Sequence, residues 1–405
     1  MDFFAALLLV LVAALAFGEL FRRLHQAPLI GEVLAGLILG PSVFMLVDAS
    51  PATQTGAAIG VAASLGIFFL VLMAGLEVGR AGLRQAVREG TAVVAVVEFV
   101  FPFYLGTLLA QWLRLATLPS LLLATGMAVT ALPVSVRVLM DLDLMQTRLG
   151  RAIVSVAVVN DMIAFGMLGA IVALHTSPAG TSAVSGITVG VGKIVLFIAL
   201  LFAIGFLFHL KRSSGRSLVS RVTGRMRRPE AIFGLVVVLA LAMGALAEIL
   251  GIHFAIGVFY AGIFLSSEAV EMSQFALVRS TTQSVGLGFL APVFFAYVGL
   301  RVSFSQVDWG LVAVVTIIAF AGKVIGGAVG GYAAGFRGRE LAALGVGLNA
   351  RGMMELLLAD IGLEAGIITQ SLYAAIVFMT LVTTLASPLL LRVLVTHRAE
   401  GTAAE

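Results

Sequence analysis

Ser155-Val-Ala-Val-Val-Asn160-Asp161-Met-Ile-Ala-Phe-Gly-Met-Leu-Gly169 is an apolar stretch with an amide and a carboxylate side by side at its middle. The apolar run extends from about Leu149 to about Leu174, long enough to cross a hydrocarbon core of roughly 30 Å as a helix. A carboxylate at the centre of such a segment costs several kcal/mol to insert. The default meaning of one that persists there is an ion or proton site. A carboxylate holds either a proton or a dehydrated monovalent cation, and desolvation favours the protonated form. Asn160 adds a neutral carbonyl ligand or a structural hydrogen bond. Ser155 lies on the same segment.

The composition makes the rest of the chain consistent with that reading. Of 405 residues, 60% are hydrophobic and 11% charged, against about 25% charged in soluble domains. The fold class is therefore an all-α, polytopic membrane protein. Thirteen apolar windows are counted, at about 3–21, 28–47, 57–78, 90–113, 119–140, 147–174, 186–209, 231–250, 253–267, 283–303, 308–334, 340–362 and 369–394. The first has no basic segment before it and reads as a retained helix, not a cleaved signal peptide. With the N-terminus outside, 19 of the 25 basic residues fall on the inner side and only Arg114 and Arg301 on the outer. The positive-inside rule then gives N-out and C-in. The chain has no cysteine, which excludes disulfides and thiolate metal sites. No phosphate-binding loop or metal-ligand spacing occurs. The basic pI reflects topology, and no nucleic-acid partner, cofactor or enzyme activity is expected.

Two motifs recur. Gly31-Glu-Val-Leu-Ala-Gly36-Leu-Ile-Leu39 and Gly257-Val-Phe-Tyr-Ala-Gly262-Ile-Phe-Leu265 share the pattern GxxxAGxxL at an offset of 226. Gly75-Leu-Glu-Val78 and Gly299-Leu-Arg-Val302 are 224 apart. Seven windows separate each pair, so the copies have opposite orientation: an inverted repeat, the arrangement by which transporters place a site at the membrane midplane. The same offset carries Glu98 onto Lys323, and the fifth window onto the twelfth. Both of those windows read as broken helices. The fifth holds Thr130-Ala-Leu-Pro133, where proline removes a helix hydrogen bond. The twelfth holds Gly345-Val-Gly-Leu-Asn-Ala-Arg-Gly352. Such breaks present backbone carbonyls and helix ends at membrane depth, so Thr130 and nearby carbonyls would face a cation held by Asp161. Lys323 sits too deep to reach an interface and needs an anionic partner, Asp161 first and Glu98 second. Arg351 and Glu355, at i and i+4, would pair on one helix face.

The sequence resembles the monovalent cation:proton antiporter-2 superfamily, in its Kef-type and plant cation/proton exchanger branch, over about residues 1–395. The residues that carry the resemblance are Pro28-Leu-Ile-Gly-Glu-Val-Leu-Ala-Gly-Leu-Ile-Leu-Gly-Pro41, Phe68 to Glu77, Thr130-Ala-Leu-Pro133, Asn160-Asp161, Pro292-Val-Phe-Phe295, Lys323 and Asn349-Ala-Arg-Gly-Met-Met-Glu355. It implies the sodium/proton antiporter fold with two crossing broken helices, and a homodimer in a bacterial inner membrane. Residues 1–85 (spans 1–3) and 231–305 (spans 8–10) would form the dimerisation domain, and 86–180 (spans 4–6) and 306–396 (spans 11–13) the ion-transport core. Residues 181–230 would be a linker span with a basic cytoplasmic loop that meets anionic lipid headgroups, and 397–405 a short tail. It implies exchange of protons for Na⁺ or K⁺ by elevator-like motion. Asp161 would bind ion and proton in turn, Thr130 would contribute to the ion site, and Lys323 would be the basic partner. Two departures stand out. Asn160 replaces the first aspartate of the tandem pair in many electrogenic members, which suggests one-for-one exchange, although lysine at the Lys323 position is also typical of electrogenic members. The other is that no cytoplasmic nucleotide-binding domain, usual in Kef-type members, is expected in this chain. A sodium-coupled symporter of an organic anion on a related fold is the alternative.

Overall fold

The computed structural model describes residues 2–88, 91–175, 229–265 and 272–401, together with Gly192, Leu196 and Leu200. The seventh window, 186–209, and the basic loop lie outside the described residues apart from those isolated positions and the loop's last two residues. Every other window contains helix, and the described residues hold no strand. In chain order the helices are α1 (Phe3–Arg23), α2 (Pro28–Leu39), α3 (Gln54–Arg88), α4 (Thr91–Trp112), α5 (Thr117–Ala128), α6 (Leu132–Asp141), α7 (Arg148–His175), α8 (Pro229–Ile249), α9 (Phe254–Phe264), α10 (Met272–Val285), α11 (Ala291–Leu300), α12 (Trp309–Ala333), α13 (Arg339–Gly347), α14 (Met353–Glu364) and α15 (Gln370–Gly401). A π-helical turn, Gly286–Leu290, joins α10 to α11. Eight segments among the described residues are long and apolar enough to cross a membrane, the π-joined α10–α11 counting as one. The protein is an integral membrane protein.

The described residues group into two compact units, one formed by Met1–Ser64, Gln85–Ala164 and Pro292–Glu405, the other by Leu65–Arg84 and Phe165–Ala291. The sequence repeat is matched by packing inside each. In the first, a Cβ on Gly31 would fall 2.2 Å from the Phe17 carbonyl oxygen; in the second, a Cβ on Gly257 would fall 2.1 Å from that of Met243. Both members of the contact shift by 226 positions. Likewise Gly299 abuts the Val33 carbonyl and Gly75 the Phe259 carbonyl, while Gly36 abuts Ala296 and Gly262 abuts Leu72. Only glycine lets helix backbones approach this closely, and small residues at such crossings are the means by which membrane helices associate. Thus α2 is clasped between α1 and α11 in one unit as α9 is between α8 and α3 in the other.

The first unit contains the polar residues of interest. Within it α4 and α12 run antiparallel in close contact. Gly322, Gly326 and Gly330 recur every four residues on α12 and meet Pro102, Glu98 and Val94, which recur every four on α4 in reverse order. That register brings the middle of α4 beside the middle of α12.

A candidate ion site where two helix breaks meet

The first break follows from local chain chemistry. Helix α5 stops at Ala128, Val129 and Ala131 are extended, and α6 starts at Leu132. Pro133 falls in the first turn of α6, where a missing N–H breaks no helical bond. The second break runs from Leu348 to Gly352, between α13 and α14. The two are bonded to each other: Ala131 N–H donates to the Ala350 carbonyl at 2.9 Å, and Thr130 Oγ1 lies 2.8 Å from the Leu348 carbonyl.

Arg351 closes the junction. Its guanidinium is fully buried and donates to the Gly126 carbonyl and, at 2.7 Å, to the Met127 carbonyl. These belong to the last turn of α5, whose carbonyls have no partner within the helix. A cation there also answers the negative end of the helix dipole. Glu355 serves the other helix, its Oε2 accepting from Gly352 N–H at 2.9 Å at the start of α14. Arg351 Nη1 and Glu355 Oε1 are 3.7 Å apart. The predicted pair therefore exists, but Arg351 precedes α14 in the break, so the two do not share a helix face. Their work is to satisfy two helix ends.

Around the junction α4, α7 and α12 bring Glu98, Asn160, Asp161 and Lys323, all at most 1% exposed. Lys323 Nζ is ion-paired with Glu98 Oε1 and donates to Thr130 Oγ1 at 2.7 Å. Lys323 is thus paired with the second of its two expected partners. Asn160 Nδ2 donates to Glu98 Oε2 at 2.6 Å and lies 3.3 Å from Thr130 Oγ1. Thr130 Oγ1 accepts from both nitrogens, and its one proton goes either to Leu348 O or to Glu98 Oε1, 3.0 Å away. Because a carboxylate must face the Asn160 NH₂, the amide is oriented, and its Oδ1 is left buried with no hydrogen-bond partner among the described residues. Asp161 is the next residue on α7, 1% exposed. Ser155 is buried earlier on α7 but is not joined to this network among the described residues.

Glu98, the second candidate partner of Lys323 in the sequence, is the hub that binds Lys323, Asn160 and Thr130; the offset that superposes it on Lys323 was the available signal. The same offset of 225 separates Gly126 from Arg351, which identifies the cap. Asn349, in the second break, donates Nδ2 to the Phe320 and Gly345 carbonyls at 3.2 and 3.3 Å, and its buried Oδ1 has no hydrogen-bond partner among the described residues. No His, Cys, Asp or Glu cluster able to hold a metal ion occurs among the described residues.

Residues 7–397 match the family described as "Sodium/hydrogen exchanger, transmembrane". The chain belongs to that family. Among its relatives are the Na(+)/H(+) antiporter of Enterococcus hirae, 28% identical over 394 residues and covering 97% of this chain and 98% of the relative, and the Na(+)/H(+)-K(+) antiporter GerN of Bacillus cereus, 28% identical with 96% of each covered. Among solved structures, the sodium proton antiporter MjNhaP1 of Methanocaldococcus jannaschii superposes with a TM-score of 0.70 at 18% identity, over 97% of each chain. That likeness shows the exchanger fold, and the relatives' names agree with the family resemblance carried by the sequence motifs.

Proposed function

We propose that this exchanger-family chain is a secondary active antiporter, trading protons for Na⁺ or K⁺ by alternating access at Asp161 and Asn160. The observation that carries the reading is a charge count. Among the described residues, the buried ionisable groups at the helix breaks are Glu98, Asp161, Glu355, Lys323 and Arg351. Three carboxylates and two cations sum to −1 when all are ionised. The site is neutral when it takes up one proton or one monovalent cation, and a neutral site is the one that crosses a low-dielectric region at least cost. Lys323 is paired with Glu98 and Arg351 lies near Glu355; the reading assigns the exchanged proton to Asp161, the buried carboxylate in the middle of α7. Asn160, the preceding residue on α7, offers its buried Oδ1 as a neutral ligand. This arithmetic favours one-for-one, electroneutral exchange.

Within the proposal, Asp161 deprotonates on one side and takes a cation. The core (86–180 and 306–396) then moves against the dimerisation helices (1–85 and 231–305), and a proton from the other side displaces the cation. The working unit is a homodimer of thirteen-span protomers in a bacterial inner membrane, N-terminus outside. The names of the relatives support the ion class, Na⁺ in one case and Na⁺ with K⁺ in the other.

The test is proton antiport in proteoliposomes with Na⁺, Li⁺ and K⁺ added separately, wild type beside Asp161→Asn, with the membrane potential clamped. A cation-dependent pH signal lost in the variant and insensitive to the clamp is expected. Full exchange by Asp161→Asn would overturn the assignment. No signal with any cation, from folded wild type, would favour an organic-anion symporter.

A further inference from the structure

At the end of α11, away from the helix breaks, lies a third, largely buried ion pair. Arg301 Nη1 is 2.6 Å from Asp360 Oδ1, with side chains 11% and 5% exposed. Around it Tyr373 Oη donates to the Val298 carbonyl at 2.7 Å, Gln370 donates to the Arg301 carbonyl, and Ser371 Oγ donates to the Gln306 carbonyl at 2.6 Å. The guanidinium stands 5.5 and 6.0 Å from the rings of Tyr297 and Tyr373. The end of α11 and the turn after it are thereby held against α14 and α15. One turn beyond Asp360 on the same face of α14 is Glu364, which is exposed and within electrostatic reach of both Asp360 and Tyr297.

We infer that Arg301 is a positioning residue of the transport movement, exchanging its partner from Asp360 to Glu364 as α14 slides one turn along α11. Four residues of helix rise about 6 Å, and one-turn ratchets of one packed element past another are an established form of two-state switch. The energetics suit the role. A buried ion pair contributes little net stability relative to its hydrated partners, whereas a buried charge left alone is severely penalised. The two paired registers therefore lie close in free energy, and the unpaired intermediate between them is high. The hydrogen bonds that hold the closed register accept at carbonyls of the last turn of α11 and the turn after it, where water takes over on release. The inference rests on the alternating-access reading, since in that reading α11 belongs to the dimerisation helices and α14 to the moving core.

The natural absence of cysteine makes the test direct. Spin labels at Ser305→Cys and Ala365→Cys report the register as a distance distribution, read in wild type, Glu364→Gln and Asp360→Asn, with exchange rates measured in the same proteoliposomes. Glu364→Gln is expected to collapse the distribution onto the Asp360-paired register. Asp360→Asn is expected to move it to the other register, by up to about 6 Å. Both variants slow exchange at least tenfold with little change in the apparent KM for the cation. A merely structural pair predicts instead that Glu364→Gln matches wild type in both distance and rate, and that result would overturn the inference. Glu364 is exposed, so its variant decides the matter even if Asp360→Asn fails to fold. If wild type shows no exchange, the distances still test the register, so failure of the antiport reading is distinguishable from failure of the ratchet.

Discussion

Removing Lys323 and removing Glu98 should have unequal costs, and the inequality follows from the hydrogen bonds. In Lys323→Met, Glu98 keeps two donors, the Asn160 NH₂ at 2.6 Å and the Thr130 hydroxyl at 3.0 Å. In Glu98→Leu, Lys323 keeps only Thr130, and the Asn160 NH₂ loses its nearer acceptor. Breaking a buried pair by deleting one member costs about 3–5 kcal/mol, whereas replacing both by apolar groups is often nearly neutral. Lys323→Met is therefore expected toward the lower end of that range. Glu98→Leu should reach the upper end or beyond, because an unsatisfied buried amide adds roughly 1–3 kcal/mol. The double variant Glu98→Leu/Lys323→Met should recover most of the larger loss, giving a coupling energy of about 3 kcal/mol or more between two sites in contact. The assay is equilibrium unfolding in mixed micelles, run on all four proteins of the cycle. Additive single effects, with the double variant as unstable as their sum, would refute direct pairing. Equal single effects would refute the role assigned to Asn160.

Other expectations follow from the same contacts. Arg351→Lys retains the charge but loses the fork that spans the Gly126 and Met127 carbonyls, so stability should fall by about 2 kcal/mol and exchange should fall with it, checked by micelle unfolding beside the vesicle assay. Thr130→Ser should keep near-normal exchange while Thr130→Val loses it, because the valine leaves Lys323 and Asn160 without their shared acceptor. Gly36→Ala and Gly262→Ala place a methyl at 1.8 and 2.6 Å from a facing carbonyl oxygen; both should lower the yield of folded protein in size-exclusion profiles, the first more than the second.

How far these features were legible in the sequence depends on what each required. The breaks could be read because proline and clustered glycine act locally, through φ and the missing N–H. The glycine repeat could be read because a close helix crossing admits so few residue types that both copies retain them. Mid-segment charges announced themselves by their cost. What stayed hidden was which charge meets which, since that depends on register between helices distant in the chain. Asp161 ranked ahead of Glu98 as the partner of Lys323 until the Gly322-Gly326-Gly330 face set α12 against α4. Arg351 was misread because i, i+4 spacing assumes a continuous helix, and the break that made Arg351 useful also removed it from one. The repeat held the missing information in part: Glu98 with Lys323, and Gly126 with Arg351, are contacts between residues one repeat apart. In a two-fold pseudosymmetric fold, residues near the axis meet their own repeat equivalents. A polar position whose repeat mate is also polar is therefore a contact prediction, and here it would have identified the Glu98–Lys323 pair without coordinates. Asp161 has no such acidic counterpart, because adding the offset lands in the apolar run of α15. In the proposed mechanism that asymmetry, one carboxylate where the repeat would permit two, leaves a single charge to exchange.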